Sequence, residues 1–276
     1  APQRRAREGP PRSKLAVDWI VGYIQPNAFH EQAACRYRTR RLRDNGELRY
    51  CLRSIFTFAP WIRRVYVILG GDSKRPAWAT GKSSRVVYVQ ESSLYAPLQP
   101  NSETKKLFYH LVPELAERFI TGDDDMFLGR ALAPTDFFTP AGKPVLNSVH
   151  MNWDGRAHLP LAWKTVDYKE AVENLSNAWK YRLMKCKRDN PWKEMKLYLI
   201  SQHLSLPGKV DEPNVWIMNH NVNQYKQLFK QIFADRPAYI CINDDWALGS
   251  SAYEEQATDL FTFFEDYWPA KSEAEA

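Results

Sequence analysis

The sequence predicts an α/β fold in which a largely parallel sheet is covered by helices. The first observation is that apolar, β-branched runs recur at Leu15–Ile24, Arg63–Gly71 and Ser84–Gln90. The second is that a segment with helical spacing separates the first two of these runs. Strands that alternate with helices are typical of parallel sheets, because neighbouring parallel strands need a crossover connection between them.

The segment Asp44–Ala59 is predicted to be the first helix. Asp44 is followed three residues later by Glu47, which resembles a capping box, and Pro60 marks the end of the helix. Its apolar residues return every three or four positions, at Leu48, Cys51, Leu52, Ile55 and Phe56.

The later elements are less regular. Asn101–Arg118 is predicted as a helix, interrupted at Pro113, that leads into a strand in "RFITG". Beyond Gly129 the pattern predicts an edge strand in "GKPVLNSVHMNW", a mostly helical stretch, a helix in "NVNQYKQLFKQIF" and a late strand in "AYICINDDWALG". The last helix carries Leu260, Phe263, Phe264, Tyr267 and Trp268 on one face.

Length and composition fit one large globular domain. The chain has 276 residues, of which 44% are hydrophobic, and a formal net charge of +6. Residues 1–14 are predicted to be a disordered basic tail. Residues 15–276 are predicted to form a single catalytic domain with a helical insertion at about 167–206. The chain starts without Met, which fits a processed or excised piece.

Several function classes are disfavoured by the sequence. Its four cysteines are scattered, which argues against a disulfide scaffold or a common zinc motif. We find no run of about 18 apolar residues, no signal peptide and no nucleic-acid motif. The basic stretch Arg36–Arg43 suits phosphate-rich ligands or an anionic membrane face, so peripheral membrane association stays open, as does a plainly solvated basic surface.

The most informative stretch is "FITGDDDMFLG", in which Asp123, Asp124 and Asp125 follow a predicted core strand. Adjacent carboxylates repel one another, so a metal ion, an Arg or Lys cluster, or water must compensate their charge. The carboxyl end of a strand is where open α/β sheets bind ligands. The turn therefore predicts a Mg²⁺ or Mn²⁺ site, and the alternative is an exposed acidic turn that caps a helix.

Other polar residues are candidates for phosphate binding and proton transfer. Arg49 and Arg53 lie one turn apart, off the apolar face of the first helix, where guanidinium groups could bind phosphate; the alternative is a solvated helix face. His158 is a candidate general base or an ordinary surface histidine. Asp244 and Asp245 form either a second acidic pair or an Asx-turn.

Taken together, these segments resemble the Stealth family of sugar-phosphate transferases. The resemblance rests on "VDWIVGYI", on "RDNGELRYCLRSIFTFAPWIRRVYVILGG" continued by "NSETKK…ERFITGDDDMFLG", on "HLP" and on "YICINDDW", in family order from about Val17 to Glu273. The second of these blocks is long and specific. Asp123 stands where the family has Asn, and Lys106 where it commonly has Glu, so the role of that Glu is not carried over.

The resemblance implies a Rossmann-like, GT-A-type fold and transfer of sugar-1-phosphate from a nucleotide-diphosphate sugar to a glycan or glycoprotein hydroxyl. It implies that the acidic turn is the metal and catalytic site. The residues it assigns to metal or catalysis are Asp123, Asp124, Asp125, His158 and Arg188. Those it assigns to donor binding are Asp18, Arg49, Arg53, Asn243 and Asp244.

Two other functions remain open at the level of sequence. A metal-dependent glycosyltransferase would use the same fold and aspartates but transfer the sugar without its phosphate. A catalytically idle carbohydrate-binding protein would keep only the fold. The resemblance allows a Golgi lumen in a eukaryote or the cytoplasmic membrane face in a bacterium.

Overall fold

The computed structural model describes residues 15–25, 44–95, 106–146, 160–174, 205–207, 214–218, 222–243 and 251–275. The predicted basic tail, the stretch Arg36–Arg43 and residues 175–204 of the predicted insertion lie outside these ranges, so the domain organisation stays a prediction. No helix within the described ranges has the length and apolar character that crossing a membrane requires.

The strands are β1 (Val17–Tyr23), β2 (Val65–Leu69), β3 (Val86–Gln90), β4 (Arg118–Asp123), β5 (Met126–Leu128), β6 (Val145–Leu146), β7 (Leu161–Lys164), β8 (Ser205–Pro207), β9 (Asn214–Met218) and β10 (Tyr239–Asn243). The helices are α1 (Glu47–Phe58), α2 (Ser92–Tyr95), α3 (Thr165–Asn174), α4 (Val222–Asp235) and α5 (Ser251–Tyr267). Short 3₁₀ segments occur at Lys106–Leu111 and Pro134–Asp136.

The main sheet, as far as the chain is described, has five strands in the order β3-β2-β1-β4-β7. The first four strands of this order are parallel to their neighbours, and β7 pairs antiparallel with β4 at the edge. From β1 the chain moves through α1 to β2 and β3 on one side, and β4 lies on the other side of β1. The strand order therefore reverses between β1 and β4, and a crevice is expected at their carboxyl ends.

Helices cover both faces of this sheet. Alternating β1 residues divide between the two cores, since Trp19 and Val21 belong to one apolar cluster and Ile20 to the other. The first cluster includes residues of α1 and α5, and the second includes Tyr168 of α3. The predicted fold class, α/β with a mostly parallel sheet and helices on both faces, is confirmed.

A second sheet, with the order β5-β10-β9, begins where the acidic turn ends. The carboxyl end of α5 is fastened to it, because Trp268 stacks on Phe127 with ring centroids 4.9 Å apart and its Nε1 donates to the carbonyl of Leu128 at 2.9 Å. The hydroxyl of Tyr267 donates to the carbonyl of Gly129 at 2.8 Å. The acidic turn is thus held between two sheets, by β4 before it and β5 after it.

Two helix boundaries differ from the sequence prediction. The helix α1 begins at Glu47 rather than Asp44, because Gly46 adopts a left-handed backbone with φ of 88°. The carboxylate of Glu47 accepts a hydrogen bond from the backbone amide of Asn45 at 2.7 Å. Glu47 therefore still satisfies a backbone donor just before the helix.

The predicted helix Asn101–Arg118 is a short 3₁₀ segment instead, within the part of it that is described. Pro113 lacks an amide donor, and Glu114 has a positive φ of 57°, so the chain turns there and enters β4.

Candidate functional site

The acidic turn lies at the reversal of strand order between β1 and β4. Asp123 is the last residue of β4 and pairs in register with Gly22 of β1. Asp124 and Asp125 form the turn itself, and the carbonyl of Asp125 accepts the amide of Ile242 at 3.0 Å. The main chain therefore fixes the turn at the carboxyl edge of the main sheet, where the sequence predicted it.

Lys106 supplies positive charge to the first aspartate of the turn. Its Nζ lies 3.0 Å from Oδ1 and 3.1 Å from Oδ2 of Asp123. An ammonium group beside a carboxylate favours the ionised form of both groups. Part of the repulsion within the turn is thus relieved by a lysine from the protein itself.

Asp124 lies in surroundings that oppose its ionisation. Burial raises the pKa of its carboxyl well above the usual range, and the nearby charges of Asp125, Glu47 and Asp123 raise it further. Glu47 comes from the first turn of α1, so two elements bring carboxylates to this point. A cation bound beside Asp124 would lower this electrostatic cost.

Tyrosine and cysteine side chains surround the turn. The hydroxyl of Tyr23 donates to Asp44 at 3.4 Å, and burial together with the charges of Asp44 and Asp124 raises the pKa of that hydroxyl. Burial and the three aspartates also raise the pKa of the Cys51 thiol, so this cysteine is not an activated nucleophile.

Gly22 allows the turn to approach β1 closely. A Cβ at this position would lie 3.3 Å from Oδ1 of Asp123 and 3.3 Å from the hydroxyl of Tyr109. These contacts are tighter than ordinary packing, so a larger residue would displace the carboxylate or the tyrosine. Glycine thus contributes to the geometry of the site.

The aspartates fit the predicted divalent cation only in part. Within the described ranges, no group of three or more His, Cys, Asp and Glu side chains is arranged to hold a metal ion. Both carboxylate oxygens of Asp123 are engaged by Lys106. Asp124 and Asp125 also carry carboxylate oxygens, which suits Mg²⁺ or Mn²⁺, because such ions are commonly bound by one or two carboxylates together with substrate phosphates.

Arg53, predicted to bind phosphate, contacts protein acceptors in the structure. Its side chain is only 3% exposed, and its guanidinium donates to both carboxylate oxygens of Glu275 at 2.9 Å, to Glu265 at 3.1 Å and to the carbonyl of Trp268 at 3.0 Å. Arg49 contacts Glu275 as well, with Nε 2.5 Å from Oε2, although its side chain is 29% exposed. Both arginines bind Glu275 after α5, and each of the three guanidinium nitrogens of Arg53 donates to an acceptor of the protein.

The donor-binding role predicted for Asp18 is also not supported. Asp18 is fully buried near the amino end of β1, whereas the acidic turn lies at the carboxyl end of the sheet. Its carboxylate accepts two hydrogen bonds from Arg63, at 2.9 and 2.5 Å, and one from the amide of Ala116 at 2.7 Å. These contacts stabilise the fold, because a buried carboxylate must be paired.

The remaining predicted site residues are not tested by the structure. His158, Arg188 and Asp244 lie outside the described residues. Asn243 is the last residue of β10, where its backbone pairs with Met218 of β9. Its strand therefore adjoins β5, which follows the acidic turn.

Sequence reasoning missed the two charged residues that reach the turn from other elements. The sequence pattern identifies Glu47 only as part of a helix cap and Lys106 only as a departure from a family pattern. A signal for Glu47 was present, because the residue follows the first strand and begins the next helix, which places it near the carboxyl edge of the sheet. No local signal indicated that Lys106 would meet Asp123.

Comparison with known proteins gives a family match for part of the chain. Residues 41–146 match the family model for conserved region 2 of Stealth proteins. This stretch contains α1, β2, β3, β4 and the acidic turn.

Among curated proteins, the chain is similar to several polysaccharide phosphotransferases. It is 31% identical over 143 residues to the exopolysaccharide phosphotransferase cps2G of Lactiplantibacillus plantarum, covering 49% of this chain and 42% of that protein. It is 38% identical over 105 residues to CpsY of Mycobacterium leprae, covering 37% and 19%. It is 33% identical over 110 residues to the receptor polysaccharide phosphotransferase WefC of Streptococcus oralis, covering 38% and 32%. The matches thus span less than half the length of these relatives.

Among solved structures, the chain is similar to two glycosyltransferases. The galactosyltransferase LgtC has a TM-score of 0.47 and 12% identity, covering 89% of this chain and 95% of that chain. GlyE of Streptococcus pneumoniae has a TM-score of 0.47 and 10% identity, covering 95% and 66%. The GT-A type of the fold stays a prediction.

Proposed function

We infer from the match of residues 41–146 to conserved region 2 of Stealth proteins that the protein is a sugar-phosphate transferase of that family. We propose that it moves sugar-1-phosphate from a nucleotide-diphosphate sugar to a hydroxyl of a glycan. The products are a phosphodiester and a nucleoside monophosphate.

One observation carries the proposal: the acidic turn, with Lys106 on Asp123, lies where the strand order reverses between β1 and β4. Open α/β sheets bind nucleotides in the crevice at such a point. A bound diphosphate at this point would carry negative charge that cations must compensate, and the clustered carboxylates also repel one another unless a cation lies between them. A divalent ion between the carboxylates and the diphosphate satisfies both requirements.

The comparisons support the kind of reaction. The named relatives are exopolysaccharide or receptor polysaccharide phosphotransferases, and the family match includes the acidic turn. Because the chain matches less than half of each relative, this activity and a polysaccharide acceptor are proposals for the present protein.

The chemistry assigned to the site is attack of an acceptor hydroxyl on the sugar-proximal phosphorus. Mg²⁺ or Mn²⁺, when bound, would stabilise negative charge on the phosphoryl oxygens and the leaving group. Asp124 and Asp125 would hold that ion, and Glu47 would add to the negative field that attracts it. Proton removal from the acceptor is assigned to His158 and phosphate contact to Arg188, on the family resemblance alone.

A metal-dependent glycosyltransferase remains the alternative. It would use the same crevice and the same carboxylates, but the attack would fall on the anomeric carbon and the nucleoside diphosphate would leave. The two reactions are separated by their products.

We expect a nucleotide-diphosphate sugar to stabilise the protein against heat when Mn²⁺ is present. A ligand at about 100 times its Kd adds about 2.7 kcal/mol to the free energy of unfolding, which corresponds to a rise in Tm of about 5 °C or more at this chain length. The measurement is a thermal-shift screen of nucleotide sugars, and nucleosides without phosphate are the control.

The rise should vanish with EDTA and in the Asp124→Asn, Asp125→Asn double variant. A screen in which no nucleotide-diphosphate sugar changes the Tm of the unaltered protein would contradict a donor site in this crevice.

A further inference from the structure

Lys106 is anchored to the core of the protein through its own main chain. Its carbonyl accepts the hydroxyl of Tyr168 at 2.5 Å. Tyr168 is fully buried, and its ring packs against Phe119 of β4 and Trp163 of β7, with centroid distances of 5.3 and 5.5 Å. The backbone that carries the Lys106 side chain is therefore fixed to the same strand that ends in Asp123.

The ammonium group is placed symmetrically on the Asp123 carboxylate. The two Nζ–Oδ distances differ by only 0.1 Å, at 3.0 and 3.1 Å, so neither oxygen points away from the lysine. A divalent ion coordinated by Asp123 would need an oxygen at about 2.1 Å and would bring a second cation next to the ammonium. Binding there would require the lysine to leave or the two cations to repel each other.

We propose that the Lys106 ammonium compensates the charge of Asp123 permanently and makes that carboxylate a structural partner. A divalent ion is then bound by Asp124 and Asp125 and not by Asp123. This inference rests on the proposed function, because it presumes that a divalent ion binds at the turn. Lys106 is a positioning residue in this arrangement. It sets both the direction of the Asp123 carboxylate and the net charge that the ion meets.

The proposal predicts how Mn²⁺ affinity responds to each partner of the pair. Asp123→Asn alone should weaken Mn²⁺ binding by less than about tenfold, because a neighbouring negative charge is lost but not a ligand. Lys106→Met should tighten Mn²⁺ binding roughly tenfold, because a positive charge is removed near a divalent ion and a carboxylate is released. Lys106→Arg should stay close to the unaltered protein, since the charge is kept.

The double variant Lys106→Met, Asp123→Asn supplies the decisive comparison. If the lysine acts through Asp123, replacing the aspartate should cancel most of the gain seen with Lys106→Met alone, which is the non-additivity expected of residues in contact. Lys143→Met is the matched control, because Lys143 is exposed and lies next to Gly142, whose carbonyl contacts Arg118 at the amino end of β4.

The experiment is titration of each purified variant with Mn²⁺, followed by the electron paramagnetic resonance signal of free Mn²⁺, with the Tm of each variant as a check on folding. A loss of about tenfold or more in Asp123→Asn would make Asp123 a ligand and overturn the proposal. An unchanged Kd in Lys106→Met, or an absence of Mn²⁺ binding in both that variant and the unaltered protein, would overturn it too. The donor screen at saturating Mn²⁺ tests the proposed function in the unaltered protein, whichever aspartates hold the ion, so either can fail alone.

Discussion

Asp125→Asn should lower the rate of sugar-phosphate transfer by about 100-fold or more, which is the loss typical of removing one preorganised electrostatic group from an active site. The amide keeps the shape of the side chain but removes the negative charge that would help hold a divalent ion beside the diphosphate. The fold should persist, because the turn is fixed by the backbone bond between Asp125 and Ile242. The measurement is the initial rate at saturating Mn²⁺ and donor, together with the Tm.

Asp235→Asn is the control for this substitution, because Asp235 is exposed at the end of α4. It precedes the amino end of β10, whereas Ile242, near the carboxyl end of β10, contacts the turn. It should leave the rate unchanged. EDTA should abolish activity in the unaltered protein. Retention of the rate within about twofold in Asp125→Asn would remove the acidic turn from the mechanism.

Arg53→Ala should lower the free energy of unfolding by about 3–5 kcal/mol, the cost of removing one partner of a buried ion pair. The variant removes the guanidinium that binds both carboxylate oxygens of Glu275, whose side chain is 2% exposed. Arg49→Ala is the matched comparison and should cost about 1 kcal/mol, because Arg49 is partly exposed and makes one contact with the same carboxylate. Urea unfolding of the two variants measures the difference.

The same ion pair predicts a pH dependence of stability. Burial raises the pKa of the Glu275 carboxyl, but hydrogen bonds from Arg53, the amide of Ser272 and Arg49 lower it by more, to about 2 from 4.5. A carboxyl whose pKa is lower in the folded state stabilises that state fully at pH values above its pKa in the unfolded chain. This stabilisation is lost as the pH falls towards the pKa of the folded state. The unfolding free energy should therefore fall between about pH 4.5 and 2, and less steeply in Arg53→Ala.

An Arg53→Ala protein as stable as the unaltered one would contradict this account. If that protein also failed to bind a nucleotide sugar, the phosphate role first predicted from sequence would be restored.

The main sheet could be predicted from sequence because its signals are local. The strands β1, β2 and β3 are mostly apolar, with Asp18 and Gln90 as the polar exceptions, and α1 shows a clear helical period between β1 and β2. The acidic turn was placed correctly for the same reason, since it directly follows the apolar strand β4.

The structural roles of three charged residues could not be predicted, because their partners are distant in sequence. Arg53 meets Glu275 after an interval of 222 residues, and Asp18 meets Arg63 after 45. A charge off the apolar face of a helix has the same local pattern whether it faces solvent or a docked carboxylate. Lys106 and Asp123 are 17 residues apart, and their meeting depends on the turn at Pro113 and Glu114 that ends the 3₁₀ segment early.

In the proposed reaction, the bond broken is the one between the two donor phosphates. If the acceptor hydroxyl attacks the sugar-proximal phosphorus, the anomeric C–O bond survives and its configuration is retained. The most direct measurement is ³¹P NMR of a complete reaction mixture, containing donor, acceptor glycan and Mn²⁺. We expect one nucleoside monophosphate for each phosphodiester formed, with the donor β-phosphorus in the glycan product. A nucleoside diphosphate as the stoichiometric product, with no phosphorus in the glycan, would contradict the proposal and establish the glycosyltransferase.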